Sequence, residues 1–125
     1  MAYVLVIDDN LLMRKMLRAL LEEEGHEVVE AAAGQARSEI FGEQLPDVVI
    51  TDLVIPPREG LETIRELRRK DPQVKILAMA AKDRSLTPED IVRATGDYGA
   101  RWTLPKPFSR ADLLGAVDAV LVPRG

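Results

Sequence analysis

The sequence predicts an α/β fold, a doubly wound parallel sheet of five strands with five helices. Short runs such as Val4-Leu5-Val6-Ile7 and Val48-Val49-Ile50-Thr51 are apolar at every position. That is the pattern of strands buried on both faces. Between the runs lie segments whose apolar residues recur at helical spacing. The two patterns alternate along the whole chain without a repeat or a low-complexity stretch, and such alternation makes a parallel sheet covered on both sides.

Each element has its own signal. Tyr3 to Ile7 is the first strand. Leu12, Met13, Met16, Leu17, Leu20 and Leu21 then share one helical face, with Arg14, Lys15, Arg18, Glu22 and Glu23 on the other, and Gly25 is a natural stop. Glu27 to Ala31 is the second strand, and a weaker helix runs from about Gln35 to Glu43. Pro46 breaks the chain before the third strand, Asp47 to Thr51. After Gly60 a helix turns Leu61, Ile64 and Leu67 inward and Arg65, Arg68, Arg69 and Lys70 outward, and Asp71-Pro72 ends it. Val74 to Ala80 is the fourth strand. Thr87-Pro88-Glu89-Asp90 starts a helix with a threonine cap, a first-turn proline and two acids at the positive dipole end. Ile91, Ala94, Thr95 and Tyr98 form its inner stripe. The last strand lies near Arg101 to Leu104, and the last helix aligns Leu113, Leu114, Val117, Val120 and Leu121.

Bulk properties narrow the function. A chain of 125 residues is one domain, able to bury a core unaided. Its net charge of −4 argues against non-specific binding to nucleic acid or anionic membranes. With no cysteine, thiolate metal sites and cysteine nucleophiles are excluded. No apolar run approaches membrane-spanning length and no leader pattern opens the chain, so a cytoplasmic domain without membrane partners is expected. Residues 1–122 read as the domain and 123–125 as a tail. Leu121-Val122-Pro123-Arg124-Gly125 resembles a protease-recognition sequence used in expression tags.

Four residues stand just past apolar runs: Asp8 and Asp9 after the first, Asp52 after the third, and Lys106 after the last. In an open α/β sheet the functional crevice lies beyond the carboxyl ends of the strands. Three acids and an amine are thus expected at one edge. Taken singly, Asp8-Asp9 would read as a turn pair and Lys106 as a surface lysine; their joint placement points to a magnesium and phosphate site. Asp47 and Asp71 neighbour prolines and read as turn residues, and His26 reads as a surface residue.

The segments Val4-Leu5-Val6-Ile7-Asp8-Asp9, Asp52-Leu53-Val54-Ile55-Pro56-Pro57-Arg58-Glu59-Gly60 and Leu104-Pro105-Lys106-Pro107-Phe108 resemble the three signatures of response-regulator receiver domains of two-component signalling. The likeness runs from Tyr3 to about Leu121. It implies the flavodoxin-like strand order 2-1-3-4-5. It also implies Asp52 as the phosphoacceptor and Mg2+ (or Mn2+) held by Asp8, Asp9, Asp52 and the backbone carbonyl of Val54. Lys106 would pair with the phosphoryl group, and a cis peptide bond would precede Pro107. Expected partners are a sensor histidine kinase or phosphotransfer protein and a downstream protein target or output domain. No second domain follows the last helix pattern, so direct nucleic-acid binding is not expected.

The chemistry suits these residue types. Magnesium takes hard oxygen ligands and commonly bridges one or two carboxylates to a phosphate. Two carboxylates ~4 Å apart repel by about 4 kcal/mol at an effective dielectric of ~20, a cost that a dication removes. A carboxylate can then serve as the nucleophile toward phosphorus, with positioning and charge neutralisation supplying most of the catalysis.

Ile55 replaces the family's usual methionine, and two switch positions also depart from the family pattern. Ala80 stands where threonine or serine is usual, and Thr103 where an aromatic ring is usual; Trp102 is its neighbour. A hydrogen bond to a charged group is worth roughly 1.5–3 kcal/mol. Swinging a two-state equilibrium between extremes needs about 5.5 kcal/mol. Ala80 therefore removes a sizeable share of the usual coupling. Trp102 is a candidate for a partner-binding patch, since tryptophan is favoured at interfaces, with simple packing as the alternative. The leading expectation is a phosphoaccepting receiver, not a stand-alone enzyme. Its rival is a phosphorylation-independent receiver-like interaction module. Phosphohydrolases of the haloacid dehalogenase type carry a second aspartate two residues after the nucleophile, where this chain has Val54.

Overall fold

The computed structural model describes residues 2–32, 44–52, 65–81 and 101–122. In chain order these form β1 (Tyr3–Ile7), α1 (Leu11–Glu23), β2 (Glu27–Ala31), β3 (Val48–Asp52), α2 (residues 65–70), β4 (Lys75–Ala81), β5 (Trp102–Lys106) and α3 (Arg110–Leu121). The strands form one parallel sheet in the order β2-β1-β3-β4-β5. That is the strand order the receiver resemblance implies. The predicted helices near residues 35–43 and 88–98 lie outside the described residues, as do Leu61, Ile64 and the chain end after Val122.

Alternation along the strands splits the core into two layers. Tyr3, Leu5, Ile7, Val49, Ile76 and Ala78 pack on the face that receives Leu67 of α2. Val4, Val6, Val48, Ile50, Leu77, Met79 and Leu104 pack on the other, against Leu17 and Leu21 of α1 and Leu113, Val117 and Val120 of α3. β1 and β3 lie inside the sheet and are covered on both sides, so their residues from Val4 to Ile7 and Val48 to Thr51 are buried throughout. This is why they read as unbroken apolar runs.

Two helices, α1 and α3, start where the sequence supplies caps. Asn10 caps α1 by accepting the Met13 N–H at 3.0 Å. Ser109 caps α3 in a reciprocal pair: its hydroxyl accepts the Asp112 N–H, and the Asp112 carboxylate accepts the Ser109 N–H, both at 3.0 Å. Gly25, with φ of 87°, takes the left-handed turn that carries the chain from α1 toward β2.

Three details correct the sequence reading. The buried seam of α1 is narrower than the predicted face. Leu17 and Leu21 are fully buried, whereas Leu12 is 80% and Met16 41% exposed. Arg14 and Arg18, expected outside, are half-buried instead, because Glu30 on the facing surface of β2 draws the basic flank of the helix down. His26 is half-buried, and its Nδ1 accepts the Ala2 N–H at 3.1 Å. Asp47 is more than a turn residue. Its carboxylate accepts the Tyr3 N–H and its own N–H donates to the Tyr3 carbonyl, both at 2.8 Å, bracketing the start of β1.

Candidate functional site

Register brings the site together. Ile7 pairs with Thr51, so Asp8 follows on the level of Asp52. Asp52 is level with Met79 and Met79 with Leu104, which sets Lys106 two residues further along β5. Two residues of strand span roughly 6–7 Å, a distance that a lysine stem covers by folding back. Lys106 Nζ donates to Asp8 Oδ2 and to Asp52 Oδ2, each at 3.2 Å. The two carboxylate oxygens are therefore no further apart than twice that distance. The Lys106–Pro107 peptide bond is cis.

Asp8 is the most constrained member. It is only 1% exposed, and each of its polar groups has a partner. Its N–H donates to the Ala31 carbonyl at 3.1 Å, and its carbonyl accepts Arg14 Nη1 at 2.6 Å. Oδ1 accepts the Asn10 N–H at 2.8 Å, and Oδ2 accepts Lys106. Asp9, by contrast, is exposed. The four residues expected at one edge thus resolve into a trio of buried Asp8 with half-buried Asp52 and Lys106, and an exposed Asp9 next to it.

Among the described residues, no group of three or more acidic, histidine or cysteine side chains is gathered to hold a metal ion. The trio itself is unbalanced. Two carboxylates share one ammonium, leaving one negative charge in excess, with Asp9 adding another beside it. Hard oxygen donors with surplus negative charge fit Mg2+ or Mn2+. Val54, the expected carbonyl ligand, lies outside the described residues.

The two switch positions fall on different ground. Ala80 pairs with Pro105, and its side chain lies outside the described residues. Thr103 pairs with Ala78 and is exposed. Trp102 is half-buried against the core layer that contains Leu104, Leu113 and Val117. Neighbouring strand residues face opposite sides. Trp102 therefore points away from the face that Thr103 occupies and does not stand in for it.

Sequence reasoning missed the polar frame behind Asp8. Arg14 is held at its other end by Glu30, with Nε 3.5 Å from Oε1. Glu30 also takes Lys15 at 2.9 Å and Arg18 at 3.1 Å. These residues line an open cleft of about 410 Å3 between α1 and β2. Burial pushes the Glu30 carboxyl up, but the hydrogen bonds from Lys15 and Arg18 outweigh it and leave the group below its ordinary range. The available signal was a glutamate within β2, next to a helix carrying three basic residues.

Comparison with known proteins identifies the fold and the class. Residues 4–118 match the response regulator receiver domain. The chain belongs to that family. It is 31% identical over 122 residues to protein CcdB of Bacillus subtilis, covering 97% of this chain and 98% of that one. It is 33% identical over 118 residues to the chemotaxis protein CheY of Halobacterium salinarum, covering 94% and 95%. The structure of the chemotaxis response regulator CheY4 of Vibrio cholerae superposes with a TM-score of 0.80 at 31% identity, covering 97% of this receiver and 99% of that chain. The receiver is a signalling domain. Among its described residues no helix is long and apolar enough to cross a membrane.

Proposed function

We propose that this receiver accepts a phosphoryl group on Asp52 and relays it through protein contacts. The observation that carries the reading is the convergence of Asp8, just past β1, and Asp52, at the end of β3, on the ammonium of Lys106 from β5. A structural ion pair needs one acid per amine. A second acid, half-buried beside the first, costs desolvation and repulsion unless it has a further task.

Asp52 is the better nucleophile of the two acids. Asp8 is held at both carboxylate oxygens, whereas Asp52 ends β3 at the sheet edge and is more exposed. A carboxylate oxygen of Asp52 attacks phosphorus of a phosphohistidine or a small phosphoramidate. The P–N bond breaks as the O–P bond forms, and the leaving nitrogen takes a proton. The Lys106 ammonium, already within reach of Asp52, offsets the added negative charge. Mg2+ or Mn2+, held by Asp8, Asp9, Asp52 and the Val54 carbonyl, would supply further charge neutralisation and orientation. A sensor histidine kinase or phosphotransfer protein is the donor this chemistry calls for, and a downstream protein or output domain the receiver of the signal.

A second reading is favoured by specific residues. Ala80 supplies no hydroxyl for a phosphoryl oxygen, and Thr103 is exposed and has no aromatic ring. Both suit a phosphorylation-independent interaction module. Incubation with phosphoramidate and MgCl2 followed by intact mass separates the two. The phosphoacceptor reading predicts a gain of one phosphoryl group; no gain, where a control receiver is labelled, favours the interaction module.

A further inference from the structure

We infer that Arg14 is a positioning residue for the acid pair Asp8-Asp9, anchored from behind by Glu30. The inference rests on the phosphoacceptor reading and concerns how the cation-binding acids are held. The Arg14 guanidinium donates to the carbonyl oxygen of Asp8, which belongs to the peptide group joining the two acids. That peptide plane fixes the direction in which the chain leaves buried Asp8 for exposed Asp9. On the other side, Asp8 is pinned at its amide by Ala31. Ala31 is the β2 neighbour of Glu30, and Glu30 holds the guanidinium. Both grips on the Asp8 backbone therefore trace to adjacent residues of β2, which pairs in register with β1 through Val6–Glu30 and Ile7–Ala31.

Glu30 is suited to the anchoring role. Its side chain is only 9% exposed and is shared among three cations of α1. Arg14 is the least exposed of the three, at 15% against 60% for Lys15 and 41% for Arg18. The other two have water as an alternative partner. Arg14 is committed to Asp8 and Glu30.

The alternative role for Arg14 is that of a charge, and it predicts the opposite sign. A guanidinium beside a cation site repels the cation, so its removal would tighten cation binding. A residue that orients the acids weakens cation binding when it is lost. Residues that orient metal ligands typically cost 10–100-fold in affinity when changed.

The test is a titration of the full chain with MgCl2, followed by amide NMR, for the wild type, Arg14→Gln and Arg110→Gln. Arg110 is an exposed arginine paired with Glu23 and Glu24, and controls for loss of a surface cation. Arg14→Gln is expected to raise the Mg2+ dissociation constant about tenfold, and to shift the Asp9 and Asn10 amide resonances before any Mg2+ is added. Arg110→Gln is expected to do neither. Should Arg14→Gln fail to fold, Arg14→Lys keeps the charge but loses the two-ended hold on the Asp8 carbonyl and Glu30, and is expected to weaken Mg2+ in the same direction. Binding by the folded variant that is unchanged or tighter than wild type overturns the inference. A wild type that takes up no Mg2+ overturns the cation reading itself, and the inference with it.

Discussion

Lys106 sets one positive charge between two acids, so its loss leaves Asp8 and Asp52 facing each other unshielded. At roughly 4–6 Å that repulsion is about 3–4 kcal/mol at an effective dielectric of ~20. Lys106→Ala is expected to lower unfolding free energy in metal-free buffer by about 1–3 kcal/mol. MgCl2 should restore more stability to this variant than it adds to the wild type, because a ligand that binds only the folded state stabilises more the tighter it binds. Urea unfolding with and without MgCl2 checks both. Glu30 gives a pH signature. Its folded-state carboxyl lies below the ordinary value, so its contribution is present above about pH 4.5 and is lost as pH falls through the folded-state value. Glu30→Gln should therefore destabilise at pH 7 by about 1–2 kcal/mol and lose less on acidification than the wild type, as read by urea midpoints at pH 7 and pH 4.

At the scale of elements, the helix caps and the rotation of α1 show how much local sequence decides. Ser109 and Asp112 satisfy each other's backbone N–H groups at the start of α3. Ser109→Ala is expected to cost about 1 kcal/mol in urea unfolding. Strand positions were legible because β1 and β3, covered on both faces, admit only apolar residues between Val4 and Ile7 and between Val48 and Ile50. The orientation of α1 was not. Periodicity spread its inner face from Leu12 to Leu21, but a helix in contact with a sheet rotates to satisfy polar neighbours as well as apolar ones. Glu30, twenty or fewer residues away in sequence but across the α1–β2 turn, pulls Arg14 and Arg18 inward and leaves Leu12 and Met16 outside. No pattern within the helix carries that information.

For the whole molecule, the strand order brings three residues that are distant in sequence, Asp8, Asp52 and Lys106, into contact. β1 and β3 are neighbours, which sets Asp8 beside Asp52, and β5 reaches them across β4 through the length of the Lys106 side chain. Asp8, Asp52 and Lys106 were readable because each ends an apolar run, and such ends converge in a parallel sheet. Asp9 reads in the sequence as an equal member, yet β1 ends at Ile7 and the chain leaves the covered sheet between buried Asp8 and exposed Asp9. The hold of Arg14 on the Asp8 carbonyl was invisible, because backbone acceptors leave no mark on the sequence. The most direct measurement is intact mass after phosphoramidate and MgCl2, made in parallel on the wild type and Asp52→Asn. One added phosphoryl group is expected on the wild type and none on the variant. Equal labelling of both, or none on either, would contradict phosphate acceptance on Asp52.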